Sequence, residues 1–200
     1  CCSSDTQVAG TVTDTGNPTV TSRIVTPEGQ SAAGARVMLL PDTYNPVRDP
    51  DSVARYDTTD VNGRYQFDEV RRGVYSILAR DGHGACVLRF GIATDSMSDT
   101  AHIPDDTLRP AGAIRVAGVF SAGSWIFIPG TDCAVRVDSL ATASGEVLLT
   151  GVPSDSIAYV SYLSPSNSVS ILAQSVAVPS GDTTVASTVL PVEVDKDWKS

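Results

Sequence analysis

At 200 residues the chain has room for one large domain or two small ones, since about 100 residues suffice for a β-sandwich with its own core. Its 23 acidic residues outweigh 14 basic ones for a formal charge of −9, and Arg71-Arg72 is the only basic doublet, which argues against a nucleic-acid partner needing a cationic face. Hydrophobic residues at 42% against 18% charged describe a folded chain rather than a disordered one, and no run of about 18 apolar residues offers a membrane-spanning helix.

The chain opens Cys1-Cys2-Ser3-Ser4-Asp5-Thr6 and continues through polar Thr- and Gly-containing sequence, so residues 1–18 read as a flexible tether. This opening resembles that of mature bacterial lipoproteins, whose signal peptide is cut immediately before a cysteine that then carries lipid. The resemblance implies an exported protein of the cell envelope, lipid-anchored at Cys1 to an outer membrane or cell surface, with the membrane as one partner. Acyl chains contribute about 0.8 kcal/mol per buried methylene, enough for firm anchoring.

Beyond the tether, apolar runs of four to eight residues, rich in Val, Ile and Thr, alternate with Gly, Pro, Asn and Asp. That pattern predicts antiparallel strands joined by turns, with little helix. Val37-Met38-Leu39-Leu40 predicts a buried strand ended by Pro41, and Thr43–Asp57 a long loop. Asp60-Val61-Asn62-Gly63 predicts a tight hairpin, with Asp60 capping the turn, Asn62 tolerating the left-handed region and Gly63 supplying a positive φ. Tyr65 and Phe67 then share one face, expected to be inward. Strands follow at Val74–Ile77 and Ala85–Leu88, and Asp105–Ala111 reads as a short hinge.

The second half repeats the first. Trp125-Ile126-Phe127-Ile128-Pro129 falls on Val37–Pro41, the stretch around Gly145 falls on the turn at Gly63, Asp155–Tyr159 falls on Gly73–Ile77, and Ile171-Leu172 falls on Val87-Leu88. The register differs by six residues between the prolines and the glycines, so the first copy carries a longer loop between Thr43 and Gly63. By this alignment Tyr75 and Tyr159 point inward, while Tyr162 lies on the opposite face as a candidate exposed aromatic. The tail 191–200 contains a lone Trp198 among charges and reads as a linker toward a further domain.

Gly34-Ala35-Arg36-Val37, then Thr59 to Phe67 in the pattern Thr-Asp-x-x-Gly-x-Tyr-x-Phe, then Gly73 to Tyr75 as Gly-x-Tyr, are together similar to the carboxypeptidase regulatory-like domain. The resemblance covers residues 19–104 and is weaker over the second copy, 112–190, where Thr142 replaces Asp60 and Val147 and Leu149 replace the two aromatics. It implies a transthyretin-like, seven-stranded Greek-key sandwich. The fold expectation is therefore all-β, two tandem Greek-key β-sandwiches of transthyretin-like or Ig-like type.

Catalytic chemistry is not evident. The family resemblance covers an accessory domain, and a zinc centre normally needs three protein ligands, whereas the two histidines, His83 and His102, stand in different contexts. Neither is accompanied by a G-x-S-x-G elbow. Catalytic residues, metal and cofactor are therefore expected to be none; calcium is the one ion that Asp49, Asp51 and Asp57 in the long loop would suit. Cys86 reads as a small core residue, with a Cys86–Cys133 disulfide as the alternative.

Two functional expectations follow. One is a non-enzymatic surface spacer or adhesion scaffold. The other is a binding module for polysaccharide or another envelope protein, using the loop residues Tyr44, Asn45, Arg48 and Asp51, with Tyr162 as a further exposed ring.

Overall fold

A computed structural model describes residues 17–94 and 100–186. Cys1, the tether through residue 16 and the tail 191–200 lie outside the described residues. The first half forms β1 (Thr19–Val25), β2 (Arg36–Pro41), β3 (Arg55–Thr58), β4 (Arg64–Phe67), β5 (Val74–Arg80), β6 (Ala85–Ala93) and β7 (Thr100–His102). Two short strands, β8 (Asp106–Thr107) and β9 (Arg109–Pro110), follow. The second half forms β10 (Gly112–Ala117), β11 (Trp125–Phe127), β12 (Ala134–Arg136), β13 (Glu146–Val152), β14 (Ser156–Leu163), β15 (Val169–Ala177) and β16 (Thr183–Ala186). One short helix, α1 (Ser139–Ser144), precedes β13.

The protein is all-β, with sheets packed face to face as β-sandwiches. In the first half β1 pairs antiparallel with β4 and parallel with β7, opposite a sheet ordered β3-β2-β5-β6-β9. In the second half β10 pairs antiparallel with β13 and parallel with β16, opposite a sheet ordered β12-β11-β14-β15. One pairing scheme therefore serves both halves.

Period-two alternation explains the first core. Val20 and Ile24 of β1, Val37 and Leu39 of β2, Tyr65 and Phe67 of β4 and Ile77 of β5 all point between the sheets and are buried. The second core gathers Ile114 and Val116 of β10, Ile126 of β11, Val147 and Leu149 of β13, and Ile157 and Val160 of β14. Unusually for a sandwich sheet, β2 is buried on both faces: Met38 and Leu40, which point away from the first core, belong to the second, as do Leu78 and Leu88.

The segment expected to be a hinge is instead built into the sheets. Asp106 sits opposite Ile24 in a parallel pairing of β8 with β1, and Arg109 sits opposite Cys86 in β6. Leu108, only 2% exposed, joins the first core and its N–H donates to the Val25 carbonyl at 2.9 Å. Paired backbone and an apolar anchor leave little freedom there, and Ala111 alone separates β9 from β10.

The turn at Asp60 forms with the local chemistry its residues require, but it is not the expected hairpin: β3 pairs with β2 and β4 with β1, so the turn carries the chain from one sheet to the other. Oδ1 of Asp60 accepts from the N–H groups of Asn62 at 2.8 Å and Arg64 at 2.9 Å. Gly63 takes φ +76°, its carbonyl accepts from the Ile24 N–H at 2.8 Å, and a Cβ placed on it would lie 2.3 Å from the Ile24 carbonyl oxygen. Gly145 does the equivalent work by other means: it caps α1 in the left-handed conformation, φ +68°, and its carbonyl accepts from the Gly118 N–H at 2.8 Å.

Gly63→Ala is expected to lower stability by at least about 2 kcal/mol, through the left-handed backbone and the clash, whereas Gly29→Ala, at φ +79° with open space around it, should lose only about 1 kcal/mol. Urea denaturation of the two variants checks the contrast. The Arg64 N–H, then that of Asn62, hold the Asp60 carboxyl below the usual carboxylate range. A depressed folded-state value means stability present above the unfolded-state pKa and lost as pH falls through the folded one. An Asp60→Asn variant should therefore show a flatter stability profile on the acid side than the parent, measured by the same titration across pH.

Candidate functional site

The long loop of the first half does not present a free binding surface; it closes onto the second half. Tyr44 is 5% exposed and packed in the second core, and its carbonyl accepts from the Gly130 N–H at 2.8 Å. This corrects the reading of Tyr44 as an available ring: an apolar ring beside the doubly covered β2 is more stable buried than solvated. Asn45 is used locally, its Oδ1 accepting from the N–H groups of Val47 at 2.9 Å and Arg48 at 3.3 Å. Arg48 reaches across the joint, donating from Nε and Nη2 to the Asn167 Oδ1 at 3.0 and 2.7 Å and to the Asn167 carbonyl. Of the four loop residues, only Asp51 is exposed with its carboxylate in no hydrogen bond or ion pair among the described residues, at the start of a one-turn helix, Asp51–Val53.

The acidic residues of the loop do not converge. Asp49 accepts from the Asn45 N–H at 2.8 Å, and Asp57 accepts from the N–H groups of Thr58 at 2.7 Å and Gln66 at 2.8 Å. Among the described residues no group of three or more His, Cys, Asp or Glu is placed to hold a metal ion. His83 sits in a turn whose Asp81 carboxylate accepts from the N–H groups of His83 and Ala85, both at 2.8 Å, while His102 ends β7.

The two tyrosines of β14 exchange their expected places. Tyr162 is half-buried, its ring 6.1 Å from that of Phe120 and its hydroxyl accepting from the Ser121 N–H at 3.4 Å. Tyr159 is 47% exposed. The cause is a register shift between β14 and β15 at Val160/Ser161, where Ile157, Val160 and Tyr162 face the core and strict alternation fails.

The centre of the joint is Arg80, at the end of β5. Its guanidinium binds Asp132 in a fork, Nε to Oδ2 at 3.0 Å and Nη2 to Oδ1 at 2.6 Å, and Nη1 donates to the Gly151 carbonyl at 2.9 Å. Nη2 also donates to Cys133 Sγ at 3.3 Å. The fork geometry suits a guanidinium and not an ammonium. Gly130, at φ +71°, brings its backbone close enough that a Cβ there would lie 2.8 Å from Ser76 Oγ. Cys86 and Cys133 are both free and buried, on either side of Arg80. Burial, with a smaller contribution from Asp132, pushes the Cys133 thiol up to about 12, and burial raises Cys86 as well.

Beside this joint lie two openings with walls from both halves. A polar cleft of about 580 Å³ is bounded by Cys86–Phe90 of β6, by residues 105–107 and 109, and by Ser154 and Asp155 of the second half. A smaller, mainly apolar groove of about 250 Å³ runs past Val74, Phe90, Pro129 and Tyr159. Phe90, 37% exposed, lines both. Neither opening was legible in the sequence, because each depends on how the halves meet.

No known protein family and no curated protein matches the chain. Among solved structures, a candidate carbohydrate-binding protein of Pseudomonas aeruginosa is similar over 46% of this chain and 88% of its own, at 20% identity and a TM-score of 0.30. The minor pilin of Streptococcus agalactiae is similar over 85% of this chain and 94% of its own, at 12% identity and 0.33. A candidate adhesin of Bacteroides ovatus is similar over 80% and 82%, at 11% identity and 0.35. At this level of overlap no function passes from them to this chain.

Two outcomes are expected at the joint. Arg80→Ala should lower stability by about 1–3 kcal/mol, since it strands the Asp132 carboxylate and the Gly151 carbonyl, and Arg80→Lys should restore only part of that loss; thermal or urea unfolding measures both. Buried, and with its thiol held far above the free-cysteine range, Cys133 should resist iodoacetamide in the native protein and react readily in denaturant, as read by mass spectrometry of the alkylated peptides.

Proposed function

We propose that this chain is a non-enzymatic, exported spacer or scaffold element of the cell surface, made of two copies of one β-sandwich held as a single rigid unit and anchored by lipid at Cys1. The observation that carries the reading is the β2–β5 sheet, whose second face, Met38, Leu40 and Leu78, packs into the core of the other half. A sheet covered on both faces transmits orientation from one half to the next, which is what a stiff stalk requires and a hinged pair of beads lacks. The Arg80–Asp132 fork, the Arg48–Asn167 bonds and the Gly130–Tyr44 bond support the same reading, since directional bonds set the angle at which apolar faces meet. The repeated pairing scheme supports the duplication.

The loop-based binding reading is less well supported, because Tyr44 is buried and Arg48 is engaged within the chain.

Spin labels on Glu28→Cys and Leu140→Cys, in a chain with Cys1 and Cys2 changed to Ser, test the rigidity. A single narrow distance distribution by pulsed electron resonance is expected, broadened when Arg80 and Arg48 are both changed to Ala. A broad distribution in the parent would defeat the rigid-stalk reading. For the anchor, Cys1→Ser should move the exported protein from the membrane to the soluble fraction.

A further inference from the structure

The polar cleft and the apolar groove that share Phe90 combine three features, and we propose that together they bind a neutral polysaccharide chain, with Phe90 and Tyr159 as stacking rings in the groove and Arg109, Ser154 and Asp155 as hydrogen-bonding partners in the cleft. This site has walls from both halves and so rests on the rigid joint argued above.

Charge comes first. In the polar cleft, Arg89 is held by Asp106 through Nε at 3.0 Å and through Nη2, and Asp105 faces Arg23 at 3.6 Å. That leaves Arg109 and Asp155, one of each sign, neither in an ion pair among the described residues. A polyanion would meet Asp155 and a polycation Arg109. A neutral ligand rich in hydroxyls, each both donor and acceptor, satisfies both.

The second feature is Ser154. This residue lines the cleft, and its Oγ is buried with no hydrogen-bond partner among the described residues, so a turn about χ1 toward the cleft would give an unused hydroxyl to a ligand.

The third is the pair of rings. A pyranose carries a flat C–H face and a rim of hydroxyls, so its recognition needs an apolar ring beside mixed donors and acceptors. Phe90 and Tyr159, 37% and 47% exposed, line the apolar groove from opposite halves, and Phe90 also borders the polar cleft. An added peptide strand suits the place less well. The edge of β6 is interrupted by Gly91 at φ +73°, and its ladder with β5 shifts register between Tyr75 and Ile77. Bulged, kinked edges resist strand addition and turn a side chain outward.

Affinity electrophoresis in native gels containing a neutral β-glucan, mannan, xylan or α-glucan, with polygalacturonate as the anionic comparison, tests the site. Retardation by at least one neutral polymer is expected, with affinity about tenfold or more weaker in Tyr159→Ala and clearly reduced in Asp155→Asn, which keeps the side chain's bond to the Ser156 N–H. Both changes are at exposed positions, and unaltered unfolding midpoints would establish that the variants fold. Retardation by polygalacturonate alone, no retardation by any neutral polymer, or retardation that both variants retain in full would overturn the proposal. The spin-label distance in the parent separates the two readings: a narrow distribution with no retardation sinks the glycan site and leaves the stalk.

Discussion

A β-strand has two faces, and in most antiparallel sandwiches one of them meets water. Through the middle of β2 and β5 neither does. Val37, Leu39 and Ile77 face the first core while Met38, Leu40 and Leu78, one residue out of phase, face the second. Each fully buried aliphatic side chain contributes about 1.5–3 kcal/mol, so separating the halves would expose several such groups at once. The orientation of the halves, the closure of the Thr43–Asp57 loop and both openings beside Phe90 depend on that doubly covered sheet.

Apolar burial alone does not set an angle, because it is non-directional. The polar groups around the buried patch do. Arg80 meets Asp132 and Gly151 with three nitrogens, and Gly130 approaches so closely that a side chain there would collide with Ser76. A partly buried ion pair of this kind adds modestly to stability, since desolvation offsets most of the attraction. Its larger contribution is to select one arrangement of two apolar faces over others of similar area.

How much of this the sequence revealed follows from the range of each interaction. The strands and the Asp60–Gly63 turn depend on alternation and local backbone chemistry, and they were readable. The run Val37-Met38-Leu39-Leu40 announced a buried strand, but nothing local to it says what covers Met38 and Leu40. The burial of Tyr44 is hidden for the same reason: polar and acidic neighbours imply an exposed loop, while the Gly130 N–H that binds its carbonyl, like the Asn167 that binds Arg48, lies far along the chain. Asp105–Ala111 reads as a hinge because it is a short stretch leading directly into the second copy, yet pairing with β1 and β6 prevails. Tyr159 and Tyr162 changed places because of one register shift, which a period-two reading cannot anticipate.

The two halves differ where the joint needs them to. The extra residues of the first half, between Thr43 and Gly63, supply Arg48 and the stretch that carries Asp49 and the Asp51–Val53 turn, and so form the buckle onto the second half. The second half has no such loop there and instead places α1 between β12 and β13, ending on Gly145 where the first half has a tight turn ending on Gly63. Both glycines accept from a backbone N–H at the end of the first strand of their half, so the fold is retained while the connection changes. An insertion that is neutral for one sandwich can thus become an interface when a second sandwich follows, and the space left between a buckle and a doubly covered sheet is where a ligand site can arise without altering either core.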